Sequence, residues 1–190
     1  MNYRIGCLIM AAGNAARFGE NKLLAEYRGK PLIAYALDCV PKALFDRVCV
    51  VTQYPQIKTL AAEHGFDVLV NDRPEDGISY TIRLGTEALA DCDAILYLVA
   101  DQPMLQAASV EAVVQAWMHN PDRIAGAASG DRRGNPNIFP KRFYKELCAL
   151  EGDRGGSRII SAHEDDFLPV QIARQELFDC DTKQELQNLQ

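Results

Sequence analysis

The apolar residues of this chain fall in short unbroken runs, each followed by a segment of helical character, and this alternation narrows the folds open to it. Residues 3–10, 47–52, 66–70, 94–100 and 124–128 read as strands, and residues 31–40, 57–64, 79–89 and 109–118 between them read as helices. A strand that is apolar at consecutive positions is covered on both faces, whereas a strand with one wet face alternates. Strands of that kind separated by helices predict an α/β fold: a three-layer α/β/α arrangement around a mostly parallel central sheet, Rossmann-like in plan. Local punctuation agrees. Pro31 stands in a first helical turn, where the missing N–H costs nothing. Gly65 can stop the second helix, and Ser79 can cap the third.

The texture changes after Ser129. Gly130-Asp131-Arg132-Arg133-Gly134-Asn135-Pro136-Asn137 reads as a polar, turn-rich loop. A short strand at 138–139, a helix over 142–150, a second Gly-rich loop, a strand near 167–172 and a last helix from Lys183 follow it. There is no internal repeat and no low-complexity segment. A length of 190 residues suits one domain that can bury a two-sided sheet without disulfides. Within that domain, residues 1–130 and 131–190 form two parts.

The composition excludes several classes. The apolar stretch near the start is flanked too closely by Arg4 and Arg17 to span a membrane, and the charged, Gly-containing segment after it does not resemble a secretory leader. The six cysteines (7, 39, 49, 92, 148 and 180) include no C-x-x-C, so buried reduced thiols in a cytoplasmic protein are expected. His64, His119 and His163 lack partners at zinc-ligand spacing. A net charge of −6 argues against a nucleic-acid partner. Charge is uneven, however. Residues 1–30 carry five Lys/Arg against two Asp/Glu, residues 130–158 seven against four, and residues 159–190 two against seven. Two basic segments in an acidic chain suggest discrete anion sites, with chance clustering of solvated charge as the alternative.

The sharpest local signal is the run from Leu8 to Lys22, where a buried strand passes into Ala11-Ala12-Gly13-Asn14-Ala15-Ala16 and then reaches Arg17 and Lys22. Small side chains let backbone N–H groups approach phosphate oxygens; Arg17 can fork onto them, and Lys22 adds a mobile point charge. The run has neither the G-K-[ST] of a Walker loop nor G-x-G-x-x-G spacing. Two acids stand out further on. Asp101 ends the most apolar strand, at the edge of a parallel sheet where ligands gather. Asp181 precedes the last helix. Each also has a plain reading: Asp101 as a turn cap, and Asp181 or Thr182 as the helix cap, with Glu185 at the capping-box position for Thr182.

Taken together, these runs resemble a known family. A-A-G-x-x-x-R-F-G-x-x-K followed by Gly29-Lys30-Pro31-Leu32, then Ala100-Asp101-Gln102-Pro103, Gly134-x-Pro136-x-x-Phe139, Gly152-Asp153-Arg154-Gly155-Gly156-Ser157-Arg158 and Asp179-x-Asp181-Thr182-x-x-Glu185-Leu186 resemble, in order, the motifs of MobA-like nucleotidyltransferases with the GT-A-like fold. The nearest branch is the one that acts on molybdenum cofactor. Lys183 and Gln184 depart from the last motif, and one extra residue precedes Arg158.

The resemblance implies that residues 1–130 bind nucleotide and residues 131–190 bind the acceptor. Ala11, Ala12, Gly13, Arg17 and Lys22 would hold the triphosphate, Arg17 on the departing pyrophosphate and Lys22 on the α-phosphoryl group. Asp101 and Asp181 would clamp Mg²⁺, with Asp179 as the alternative to Asp181, and Arg17, Lys22 and Asp101 would form the catalytic set. Gly77 and Ser79 would face the base, a plain capped helix being the other account of that segment. Gly134, Pro136, Asp153, Arg154 and Arg158 would receive the acceptor. The implied partners are a nucleoside triphosphate, a pterin-type phosphorylated acceptor, and a molybdoenzyme or cofactor-insertion protein. Ala11-Ala12-Gly13 is closer to the cytidylyl-transferring members than to the guanylyl-transferring ones, which points to CTP as donor. The rivals are GTP as donor and a noncatalytic nucleotide-binding chaperone.

Overall fold

A computed structural model describes residues 3–13 and 21–189. The chain runs β1 (Ile5–Ala11), β2 (Glu26–Tyr27), β3 (Lys30–Pro31), α1 (Leu32–Asp38), β4 (Arg47–Thr52), α2 (Pro55–Glu63), β5 (Asp67–Val70), α3 (Ile78–Ala88) and β6 (Ala94–Val99). It continues through α4 (Ala107–His119), β7 (Ile124–Ser129), β8 (Arg132–Pro140), α5 (Tyr144–Cys148), α6 (Ser157–Ala162), β9 (Phe167–Gln171) and α7 (Lys183–Asn188). Seven strands form one sheet in the order β5-β4-β1-β6-β8-β7-β9, while β2 and β3 pair apart from it. All neighbours in the sheet are parallel except β8, which runs antiparallel to both β6 and β7.

Apolar continuity becomes two-sided burial through the two-residue period of a strand. In β1, Ile5, Cys7, Ile9 and Ala11 enter one core with Ile33 and Leu37 of α1, Ile57 of α2 and Val113 and Trp117 of α4. Leu8, on the other face, joins Ile82 of α3, Leu147 of α5 and Ile159 of α6. β4 and β6 divide their residues in the same way, giving the three layers that the sequence predicts. Packing on the second face is close. A Cβ on Gly85 of α3 would lie 2.3 Å from the Cδ atoms of Leu8, so glycine is what lets this helix settle on β1.

Most elements begin and end within a residue or two of their expected bounds. The region after Ser129 does not. In place of a loop over residues 130–137, a turn at Gly130–Asp131 leads straight into the nine-residue β8. Arg132 and Arg133 pair with β7 alone and extend past the reach of β6, so their exposed, polar character mimics a loop. Ser79 differs as well. Gly77 takes the cap position of α3, and the Ser79 hydroxyl, in the first turn, donates to the Asp76 carbonyl at 3.2 Å.

The topology fixes where a ligand can sit. From β1 the chain builds outward through β4 and β5, then returns to place β6 on the opposite side of β1. Such a reversal opens a crevice at the carboxyl ends of the two central strands.

Candidate active site

The crevice begins where β1 ends. The Ala12 carbonyl accepts from Gln53 Nε2 at 2.9 Å and the Gly13 carbonyl from Tyr54 Oη at 2.9 Å, so the residues after β4 pin the start of the loop. Among the described residues, nothing lies within 4 Å of a Cβ placed on Gly13. Arg17 lies outside the described residues. The chain re-enters at Asn21, whose side-chain oxygen accepts from Leu23 N at 3.1 Å and caps the short 3-10 turn Lys22–Leu24. That turn aims Lys22 into the crevice.

Lys22 meets both candidate acids. Its Nζ lies 2.7 Å from Asp101 Oδ2 and 2.9 Å from Asp181 Oδ1, bringing together groups 79 and 159 residues apart in the chain. Asp101 follows β6. Asp181 is brought beside it by the Cys180 N–H, which donates to the Asp101 carbonyl at 2.9 Å, and by burial of Cys180 among Tyr27, Leu32 and Leu186. Thr182 and Glu185 form the capping box of α7, so capping falls to Thr182 and the Asp181 carboxylate is left to the crevice. Lys22 is mostly enclosed. Burial alone would lower its pKa, but Asp101 and then Asp181 outweigh that effect, and the ammonium is held above its ordinary value.

Asp179 points elsewhere. Its Oδ1 accepts from Gln102 Nε2 at 2.9 Å, and desolvation, followed by the charges of Asp101 and Asp181, raises its pKa. Asp181, not Asp179, therefore shares a cation with Asp101.

Two cavities adjoin at this end of the sheet. The first, of about 520 Å³, is lined by Ala12, Gly13, Lys22, Gly77, Asp101 and Asp181 from the expected set, together with Glu75 and Thr81, which sequence reasoning missed. Ala11 and Ser79 do not line it. Ala11 completes β1 and is 1% exposed, and Ser79 is 5% exposed with its hydroxyl turned back onto Asp76. Asn71 organises this wall: it is buried, donates to Thr81 Oγ1 at 3.0 Å and accepts from Arg73 N at 2.9 Å.

The second cavity, of about 340 Å³, has apolar walls that include Ile82, Tyr97, Phe139 and Leu177. Gly134 and Asp153 line it, as expected of acceptor residues. Pro136 is buried behind it, joined to Asn135 by a cis peptide bond. Arg154 and Arg158 are exposed and line neither cavity. The helical period explains Arg158: Ser157, Ile160 and Ser161 of α6 turn toward the cavity, and Arg158 is rotated about 100° away. Arg132 and Arg133, read from sequence as part of a loop, supply the basic groups instead. The exposed arginine pair at the start of a strand was the available signal for them.

Asp153 and Ile78 border both cavities, and Gly77, next to Ile78, lines the first. At φ +78° with a hypothetical Cβ 2.5 Å from Gly152 C, position 77 has room for glycine and nothing larger. Ser79 N donates to the Gly152 carbonyl at 3.1 Å, tying the nucleotide-side wall to the second Gly-rich loop.

Residues 7–167 match the MobA-like NTP transferase domain. The chain belongs to that family. The matched residues include Lys22 and Asp101. Among relatives, a probable molybdenum cofactor guanylyltransferase of Pyrococcus horikoshii is 31% identical over 121 residues, covering 62% of this chain and 58% of that protein. Purine catabolism protein PucB of Bacillus subtilis is 26% identical over 196 residues, covering 96% and 94%. A solved nucleotidyl transferase of Methanothermobacter shares the fold, with a TM-score of 0.84 at 20% identity over 99% of this chain and 96% of that one. Among the described residues, no helix is long and apolar enough to cross a membrane.

Proposed function

We propose that the chain moves a nucleoside monophosphate from CTP to a phosphorylated acceptor, molybdenum cofactor, and releases pyrophosphate. The observation that carries this reading is the convergence of Asp101 and Asp181 on the Lys22 ammonium at the carboxyl ends of β1 and β6. Two carboxylates already sharing a cationic nitrogen are a fitting donor set for a hard dication that takes its remaining ligands from water and phosphate. Asp101 and Asp181 are thus the residues that would hold Mg²⁺, which would supply Lewis-acid neutralisation of phosphoryl charge.

The chain's own groups do the rest. The backbone at Ala12 and Gly13 lets phosphate oxygens approach closely. Lys22 pairs with negative charge growing on the α-phosphoryl group, and Arg17, by family resemblance, with the leaving pyrophosphate. The acceptor enters from the second cavity past Asp153, with Arg132 and Arg133 offered to its anionic part. Its phosphate oxygen attacks the α-phosphorus; the new P–O bond forms as the bond to pyrophosphate breaks and the electron pair leaves with pyrophosphate. Such an oxygen is already ionised near neutrality, so alignment and charge neutralisation suffice. Among the described residues no histidine lines either cavity, which accords with a reaction that needs no general base. The product would pass to a molybdoenzyme or a cofactor-insertion partner in the cytoplasm.

CTP as donor rests on Ala11-Ala12-Gly13, and GTP is favoured instead by the relative described as a guanylyltransferase. Pyrophosphate release measured with CTP, GTP, UTP and ATP in Mg²⁺, with and without purified molybdenum cofactor, tests the reading. Release with CTP that requires the cofactor supports it. Release with GTP alone moves the donor to guanylyl transfer. Thermal protection by a nucleotide (about 2.7 kcal/mol at 100 times its Kd) without any release means a binding protein and no transferase.

A further inference from the structure

We infer that Lys22 makes the site selective for the metal–nucleotide complex, by occupying the cation position between Asp101 and Asp181 until a triphosphate draws it away. The inference rests on the proposed metal role of those two acids.

The geometry gives Lys22 two incompatible partners. Its ammonium satisfies both carboxylates through charge-assisted hydrogen bonds of 2.7 and 2.9 Å. Its side chain is 16% exposed and that of Asp101 20%, so neither charge is well solvated where it sits. With the lysine in place the triad carries one negative charge instead of two. A divalent ion arriving alone must take the position from the ammonium, and no anion is then present to receive the displaced charge. Two cations would be left a few ångströms apart beside an enclosed wall, where repulsion is poorly screened.

A triphosphate removes the conflict. Lys22 lines the cavity that opens onto Ala12 and Gly13, so its ammonium can leave the acids for phosphate oxygens in the same space. The vacated carboxylates then face a metal that arrives with the nucleotide. Metal and nucleotide consequently strengthen each other's binding, and by linkage the coupling is equal in both directions. Mg²⁺ held without nucleotide, which would order the carboxylates unproductively, is disfavoured.

Mn²⁺ binding followed by the electron paramagnetic resonance signal of the free ion tests this on the full chain, with and without CTP, and with GTP in place of CTP if only GTP gives thermal protection. The wild type is expected to bind Mn²⁺ weakly alone and at least tenfold more tightly with nucleotide. Lys22→Met, which keeps the apolar stem, is expected to bind Mn²⁺ alone about tenfold more tightly than wild type and to lose most of the nucleotide coupling. Lys22→Gln removes the same charge and serves if Lys22→Met does not fold by circular dichroism. If the variant binds Mn²⁺ alone no more tightly than wild type, while Asp101→Asn still abolishes Mn²⁺ binding with nucleotide, the placeholder role is overturned and the metal role of the acids survives. If Asp101→Asn leaves nucleotide-dependent Mn²⁺ binding intact, both fall.

Discussion

The two cavities at the carboxyl end of the sheet are built from different materials. The first is built around charge: Lys22, Asp101 and Asp181 meet across most of the chain's length, and their positions are fixed by backbone ties such as Cys180 N to the Asp101 carbonyl. The second is built around shape, with apolar walls, glycine backbone at positions 134, 155 and 156, and arginines at its rim. Phosphoryl chemistry needs fixed opposite charges at one point, whereas holding an acceptor needs a fitted surface with few polar anchors. Substitutions in the first cavity should therefore act on turnover, and those in the second on acceptor affinity.

After Asp101→Asn, taken up last, the largest effect that sharpens this contrast is expected from Asp181→Asn. Turnover should fall by roughly two to three orders of magnitude, the range for loss of one group that stabilises transition-state charge, with the circular dichroism spectrum unchanged. A change confined to acceptor KM would assign Asp181 to the second cavity and break the division. Next comes Gly77, in the wall of the first cavity. Gly77→Ala must adopt a positive φ and place its Cβ against the Gly152 backbone, so a loss of about 2 kcal/mol is expected, or a fall in Tm of roughly 4–8 °C. Nucleotide affinity should weaken more than acceptor affinity in this variant, because Gly77 lines the first cavity and not the second. An unchanged melting curve would mean that the two loops separate freely.

A smaller effect divides the arginines. Arg132→Ala should raise acceptor KM about tenfold, as expected for loss of a charged hydrogen bond, and leave thermal protection by nucleotide alone unchanged. Arg158→Ala should alter neither. The reverse pattern would restore Arg158 to the acceptor site. The smallest effect lies outside both cavities, where Asp38 pairs with Lys30 and His64. Desolvation pushes the Asp38 pKa upward, but the hydrogen bonds from Lys30 and His64 dominate and hold it below 3.8. A carboxylate whose folded pKa is depressed stabilises above its unfolded value, and that contribution is lost as the pH falls through the folded one. Asp38→Asn should lower Tm by about 1 °C at neutral pH, consistent with a half-exposed pair, and the difference from wild type should shrink as the pH falls below the ordinary carboxylate range. Turnover should not change.

Sequence and structure agree best where the chain has least freedom. A strand that is apolar throughout, like β1 or β6, must be buried on both faces, so the sheet and the ends of its strands are legible before any coordinates. Ala12, Gly13 and Asp101 follow directly, because they sit at those ends. Asp181 is legible as a motif residue, but its meeting with Lys22 depends on where residues 178–181 return, which spacing does not encode. The second half is harder. Arg132 and Arg133 look like loop residues because β8 outruns its neighbour β6, so their place in the lining of the second cavity is not legible, whereas Arg154 and Arg158 stand out in a loop of conspicuous glycines and line neither cavity. A polar strand end and a polar loop have the same composition and differ only in pairing. The cap reading of Ser79 fails for a related reason: a serine near a helix start suggests a cap, yet Gly77, at positive φ, takes that position two residues earlier.

Asp101→Asn offers the most direct trial of the central claim, since it removes one negative charge from the point where the two acids and Lys22 converge and changes little else. Pyrophosphate release from CTP in the presence of molybdenum cofactor should fall at least about a thousandfold, with the nucleotide-free melting temperature within a few degrees of wild type. Release at a rate near that of the wild type would show that the carboxylate after β6 is not part of the chemistry.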